Sequence, residues 1–204
     1  SELSFNFWAI RAVRGLASSY VIIKEYEPNS EILKSIKMVI HRAEQYFTGE
    51  ALGKENDQAY LINDAPDMTS ELLLALTKLH GTGDFNYYPE IVKLSEGLMA
   101  HQILDSTSKL DGMYFCWKNI WHGWGNNQTL ALLRSYQVTE NDRILKSVHR
   151  WADNFANFVI DNDFPAEIKL KDEDNYIIKM YPQIAYGITS MYRGMHEFYK
   201  LTGQ

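Results

Sequence analysis

Two aspartates three residues apart, Asp64 and Asp67, stand in front of the leucine-rich run Leu72-Leu73-Leu74-Ala75-Leu76. A third, Asp111, opens the stretch Asp111-Gly112-Met113-Tyr114, which leads to Trp117, Trp121, His122, Trp124 and Asn127. Three of the five tryptophans therefore fall within eight residues. Further on, Tyr181 and Gln183 flank Pro182. Carboxylates among indoles, phenols and amides suit sugar chemistry. Sugar C–H faces stack on aromatic rings, hydroxyls take Asp, Asn and Gln as partners, and glycosidic cleavage uses two carboxyls, one as acid and one as base or nucleophile. A carboxyl dried by a neighbouring Trp has its pKa raised toward the range of a general acid. On this reading Asp64 or Asp67 is the acid/base carboxylate and Asp111 the second one. Trp117, Trp121, His122, Trp124, Asn127, Tyr181 and Gln183 would hold the sugar.

Each of these residues has a plainer role available. Asp67 suits a helix N-cap with Ser70 and Glu71 in the first turn. Asp111 before Gly112 suits a turn, and the tryptophans suit the anchoring of a long loop. Other chemistries find less. His41 with Glu44 and His196 with Glu197 do not make a metal-binding HExxH helix, so no metal is expected. Gly81-Thr82-Gly83 follows no strand and reads as a turn, no GxSxG occurs, and Cys116 has no activating partner in sequence. No cofactor is expected.

The elements that must position these residues are helices. In residues 30–47, Ile32, Leu33, Ile36, Val39, Ile40, Ala43, Tyr46 and Phe47 form an i, i+3, i+4, i+7 stripe. Residues 142–160 repeat it with Ile144, Leu145, Val148, Trp151, Phe155 and Val159, and residues 89–102 repeat it more weakly. Between them lie segments apolar on more than one side: Phe5 to Tyr20, Met68 to Leu79, Leu130 to Tyr136 and Ile184 to Phe198. Such helices are expected to be buried on two sides. The order is thus inner, outer, inner, outer, inner, outer, inner. The residues before each inner-to-outer turn, Tyr20, His80, Tyr136 and Tyr199, are 60, 56 and 63 residues apart. This is an internal repeat of antiparallel helical hairpins, longer than common solenoid repeats of roughly 34–47 residues. Glycines such as Gly81 and Gly203 suit left-handed helix ends there. Outer-to-inner connections are long, at about residues 48–65, 105–123 and 161–180, and an up-and-down array places all three on one face. Loops beyond about 12–15 residues tend to be functional. No strand pair is evident; only residues 112–117 suggest a short extended piece, and the charged run at 169–174 reads as a solvated loop.

Composition narrows the partners. The 204 residues are 46% hydrophobic and 13% aromatic, enough for a sizeable core in one domain. A net charge of −6 argues against a nucleic-acid surface. The longest apolar runs are too short to span a bilayer, so no membrane partner is expected. A single cysteine gives no disulfide framework and no secretory leader opens the chain, which favours the cytoplasm.

The hairpin Asn126-Asn127-Gln128-Thr129-Leu130-Ala131-Leu132-Leu133-Arg134-Ser135-Tyr136, followed by an amphipathic helix through Trp151, resembles those of the six-hairpin glycosidase-like proteins. The Asp111-Gly112-Met113-Tyr114 loop before Trp121-His122-Gly123-Trp124-Gly125-Asn126 resembles the D-G-x-aromatic and W-x-x-G-N segments of unsaturated glucuronyl or rhamnogalacturonyl hydrolases and of α-1,6-mannanase-like families. The resemblance implies an all-α fold, an α/α toroid of inner and outer helices. It also implies a glycoside hydrolase acting on an oligosaccharide in a cleft lined by the loops before inner helices. Where such mannanases have a paired Asp-Asp, this chain has Asn63-Asp64-Ala65-Pro66-Asp67. Six hairpins at this period need roughly 360 residues. Residues 1–204 are therefore expected to form one α/α-hairpin domain with about seven helices, part of a larger toroid or a reduced, open one. A second copy or the remainder of a longer chain would complete the ring. Two alternatives stay open: a non-catalytic helical scaffold binding protein or glycan, and a terpenoid-cyclase-like toroid using Asp172-Glu173-Asp174.

Overall fold

The computed structural model describes residues 5–48, 60–172, 175–181 and 185–203. Helix α1 (Phe7–Tyr26) begins where the Asn6 side chain accepts the N–H groups of Trp8 and Ala9. Ser30 does the same for Ile32 at the start of α2 (Glu31–Ala43). Such caps satisfy amides that the first turn leaves without carbonyl partners. Helices α3 (Pro66–His80) and α4 (Tyr88–Ala100) instead carry proline in the first turn, where no N–H is needed. Next come α5 (Gln128–Thr139) and α6 (Asp142–Arg150), which runs on through a wide turn at Trp151–Ala156 into Asn157–Asp161. Helix α7 (Ala185–Thr202) is the last.

Packing divides these helices into two layers. Helix α3 lies between α1 and α5, and α5 packs on α7, giving the inner row α1–α3–α5–α7. Helix α2 lies on α1, α4 covers α3 and α5, and α6 covers α4 and α5. The inner–outer alternation read from the sequence is the one observed. The centre of the row is dry: α3 is buried at every position of 69–77 and α5 at every position of 128–133. Full burial of side chains such as Leu72, Leu73 and Leu76 stabilises the core by about 1.5–3 kcal/mol each. Helix α1 departs from the expected two-sided burial. It buries only Ile10, Val13, Ala17 and Tyr20, while Trp8 and Ile22 are exposed. A helix at the end of a row has an inner neighbour on one side only. The left-handed residue of the α3–α4 turn is Gly83 (φ 77°), whereas Gly81 keeps helical angles.

The periodicity also misses a sheet. Strands β1 (Ile120–His122), β2 (Glu167–Leu170) and β3 (Tyr176–Lys179) form an antiparallel sheet in that order, with Trp121 opposite Ile168 and Ile168 opposite Ile178. Strands of three or four residues are too short to show an alternating pattern. The piece expected at 112–117 forms only isolated bridges, Gln102 with Tyr114 and Trp117 with Ile120. The sheet knits the second and third long loops together on the side where α3 and α5 begin. The end of the first loop joins them, since the Ile62 N–H donates to Thr69 Oγ1 (2.9 Å), and the Asp67 N–H donates to the Cys116 carbonyl (3.0 Å). Close approach of the Tyr60 carbonyl to α4 leaves no space for a side chain at Gly97.

Asp172 closes the β2–β3 hairpin, its Oδ1 accepting both the backbone and side-chain N–H groups of Asn175. Its carboxylate is therefore a turn-forming group, contrary to the cyclase alternative; Glu173 and Asp174 lie outside the described residues. Among the described residues no helix is long and apolar enough to cross a membrane.

Candidate active site

Helix α3 starts at Pro66 with Ala65 as an N-cap that gives no side-chain hydrogen bond. Asp67 is therefore inside the first turn and is not the cap. Its Oδ1 accepts the Met68 N–H at 2.7 Å, and its Oδ2 faces His122 Nε2 at 3.8 Å, beyond hydrogen-bond length. Burial raises the carboxyl pKa to about 6. The Met68 and Asp67 N–H groups oppose the rise, and the nearby Glu71 charge adds to it.

His122 ends β1, and its ring orientation is fixed by the turn that follows. The Gly125 N–H donates to Nδ1 at 3.1 Å, which leaves the proton of the neutral ring on Nε2, the atom facing Asp67. A Cβ at Gly125 would overlap the imidazole, so this fold-back needs glycine. Burial lowers the His122 pKa to about 4 despite the opposing Glu167 charge, and the ring is neutral at neutral pH. Trp124 lies parallel to it, with centroids 4.6 Å apart and planes at 9°, and stays 42% exposed.

One turn beyond Asp67, on the same face of α3, is Glu71. Its Oε2 accepts from Arg14 of α1 at 2.6 Å and its Oε1 from Asn127 Nδ2 at 2.9 Å. Sequence reasoning passed over Glu71 as part of a first turn; its i+4 spacing from Asp67 was the available signal. The Asn127 amide, expected to meet sugar, instead crosses from the start of α5 to this carboxylate.

Other expected residues lie elsewhere. Asp111 is buried and saturated: Oδ1 accepts from Arg150 (Nε 2.8 Å) and the Asp105 N–H (3.0 Å), and Oδ2 from Asn154 (2.8 Å). These partners tie its loop to outer helix α6. Trp121 is 1% exposed and packs edge-on against Phe155 at 5.3 Å, so it anchors the sheet and offers no face to a ligand. Trp117 is exposed, with Lys118 Nζ 4.4 Å from its ring centroid. Asp64 is exposed in the short Ile62–Asp64 turn with left-handed backbone (φ 53°). Tyr181 is exposed after β3, and Gln183 lies outside the described residues. The Cys116 thiol is buried and its pKa pushed up to about 12, which leaves it inert. No cluster of three or more His, Cys, Asp or Glu suited to a metal occurs among the described residues.

The arrangement that the fold assembles is thus Asp67, His122 and Trp124, backed by Glu71, Asn127 and Arg14. Comparison with solved structures places the surrounding architecture. The chain superposes on the α-1,6-mannanase GH76A of Salegentibacter sp. HEL1_6 with a TM-score of 0.69 at 14% identity, over 98% of this chain and 56% of that one. An inactive variant of that enzyme, with two consecutive aspartates replaced by asparagine and α-1,6-mannotriose bound, matches with a TM-score of 0.66 at 13% identity over the same shares. The likeness is one of fold. The hairpin array has the fold of part of an α/α toroid, and the chain spans about half the length of the solved structures it matches. No protein-family model and no curated protein matches the sequence.

Proposed function

We propose that residues 1–204 form one α/α-hairpin domain of a glycoside hydrolase that takes an oligosaccharide against the loops preceding α3 and α5. The observation that carries this reading is Asp67: a carboxyl with a pKa raised to about 6, at the start of a central inner helix, with Oδ2 hydrogen-bonded to no described residue. A carboxyl in that range holds its proton often enough near neutrality to give it to a leaving glycosidic oxygen. Glu71 supplies the second carboxylate on the same face, with Arg14 and Asn127 fixing its position. Its charge favours the positive character that the sugar ring develops as the bond breaks. Neutral His122 turns Nε2–H toward Asp67 and steadies the carboxylate left after proton transfer, and the open face of Trp124 stacks a sugar ring. In this reading Asp111 and Trp121 hold the loops in place.

Manno-oligosaccharides are the first substrates to try, since the structural neighbour is an α-1,6-mannanase bound to mannotriose in its inactive form. Incubation with α-1,6-mannotriose and longer α-mannans is expected to release shorter sugars. Asp67→Asn is expected to slow this by about 10²–10⁴-fold, the usual worth of a general acid. Cleavage by Asp67→Asn at the wild-type rate would overturn the assignment. One observation favours a second reading, glycan binding without cleavage. Pro66 precedes Asp67, so only one carboxylate stands where the resemblance implies a pair. Under that reading mannotriose binds and is returned intact.

A further inference from the structure

In a protein with six more acidic than basic residues, the charged groups on the inner face of the helix row are mostly cations. A cavity of about 780 Å³ lies among α1, α3, α5 and α7, on the side where α3 and α5 end, and Arg14, Lys24, Lys78, Arg134 and Arg193 border it together with one carboxylate, Glu25. A smaller cavity of about 330 Å³ shares Arg14 and Arg193 with it and reaches Glu71 and Asn127 below the candidate active site. Three of the five cations have carboxylate partners: Arg14 pairs with Glu71 (2.6 Å), Lys24 with Asp84 (2.5 Å) and Arg134 with Glu197 (2.9 Å). The other two do not. Lys78 donates only to the Ser18 hydroxyl (2.7 Å), and Arg193 makes no hydrogen bond or ion pair among the described residues. Partial burial, with the charges of Arg14, Arg134 and Arg193 adding to it, holds the Lys78 ammonium below the usual lysine range.

Two cations from different helices, with no carboxylate partner among the described residues, border one cavity, an arrangement suited to an oxyanion. A guanidinium offers a planar fork of donors to phosphate or carboxylate, and an ammonium adds a point charge beside it. The volume is within the range of small-ligand sites and holds a sugar ring with such a group attached. We propose that this lumen binds an anionic group, a phosphate carried on a sugar or free in solution, between Lys78 of α3 and Arg193 of α7. The site is separate from Asp67 and does not depend on glycoside cleavage.

Calorimetric titration with inorganic phosphate, mannose 6-phosphate and neutral mannose tests it. One or both phosphates are expected to bind at millimolar concentration or better, more weakly at 0.3 M than at 0.05 M NaCl, while mannose gives no comparable heat at this site. Tighter binding of mannose 6-phosphate assigns the sugar-borne group, and tighter binding of inorganic phosphate assigns the free ion. Lys78→Met and Arg193→Gln, both at exposed positions on separate helices, are each expected to weaken binding at least tenfold. Asp67→Asn should leave it unchanged, which keeps this outcome distinct from any loss of hydrolysis. Absence of phosphate binding to the wild type, or wild-type affinity in both variants, would overturn the proposal.

Discussion

The residues that matter most are Asp67 and His122, whose titrations have been displaced in opposite directions. Asp67 in the folded chain keeps its proton up to about pH 6, against an ordinary value of 3.8. Between those values the folded state binds more protons than the unfolded one, so this group's contribution to stability falls as pH rises through the window. Asp67→Asn is therefore expected to raise stability at pH 7.5 by on the order of 2–3 kcal/mol and to leave it nearly unchanged at pH 4, read by thermal melts at both values. His122 works the other way. Its folded pKa of about 4 is below the ordinary 6.5, so its contribution is lost as pH falls from 6.5 to 4. A second outcome follows from the imidazole's dependence on a bare backbone: Gly125→Ala should displace the ring, shown by a changed His122 proton resonance and lowered turnover with global stability largely kept. Sequence alone could not rank Asp67 above Asp111, because each had a plain local role available, a helix N-cap for Asp67 and a turn for Asp111. What separates them are Arg150 and Asn154, which reach Asp111 from 39 and 43 residues away. Partners at that range leave no local mark.

At the scale of elements, the helices were legible and the strands were not. Helices such as α1, α2 and α3 run 20, 13 and 15 residues, long enough to repeat a 3.6-residue pattern several times. The strands run three or four residues and take their partners from two different loops. The sheet nevertheless sets the site, since β1 carries Trp121 inward and His122 toward Asp67 on successive residues. This alternation predicts different fates for neighbouring aromatics. Trp121→Ala should cost about 3–5 kcal/mol in chemical denaturation, as expected for removing a buried ring, while Trp124→Ala should cost less than about 1 kcal/mol and weaken sugar binding. Equal losses of stability would mean that Trp124 is also a packing residue.

For the molecule as a whole, periodicity was enough to specify two layers of helices and one face bearing long loops. It was not enough to specify what the inner face carries. Leucines dominate α3 and α5 in sequence, whereas the cavity they border is ringed by arginine and lysine from four helices, and only assembly of the row brings those charges together. The fold shared with an α-1,6-mannanase supports the proposed sugar-cleft reading of the loop-bearing face, and the raised pKa of Asp67 supports its proposed role as proton donor there. The most direct measurement is the pH dependence of kcat/KM for α-1,6-manno-oligosaccharide cleavage, compared between the wild type and Asp67→Asn. The wild type should lose activity as pH rises through about 6, where Asp67 gives up its proton, and the variant should retain at most about a hundredth of the rate with that limb gone. A profile flat from pH 5 to 8, or the same limb in Asp67→Asn, would contradict Asp67 as the acid.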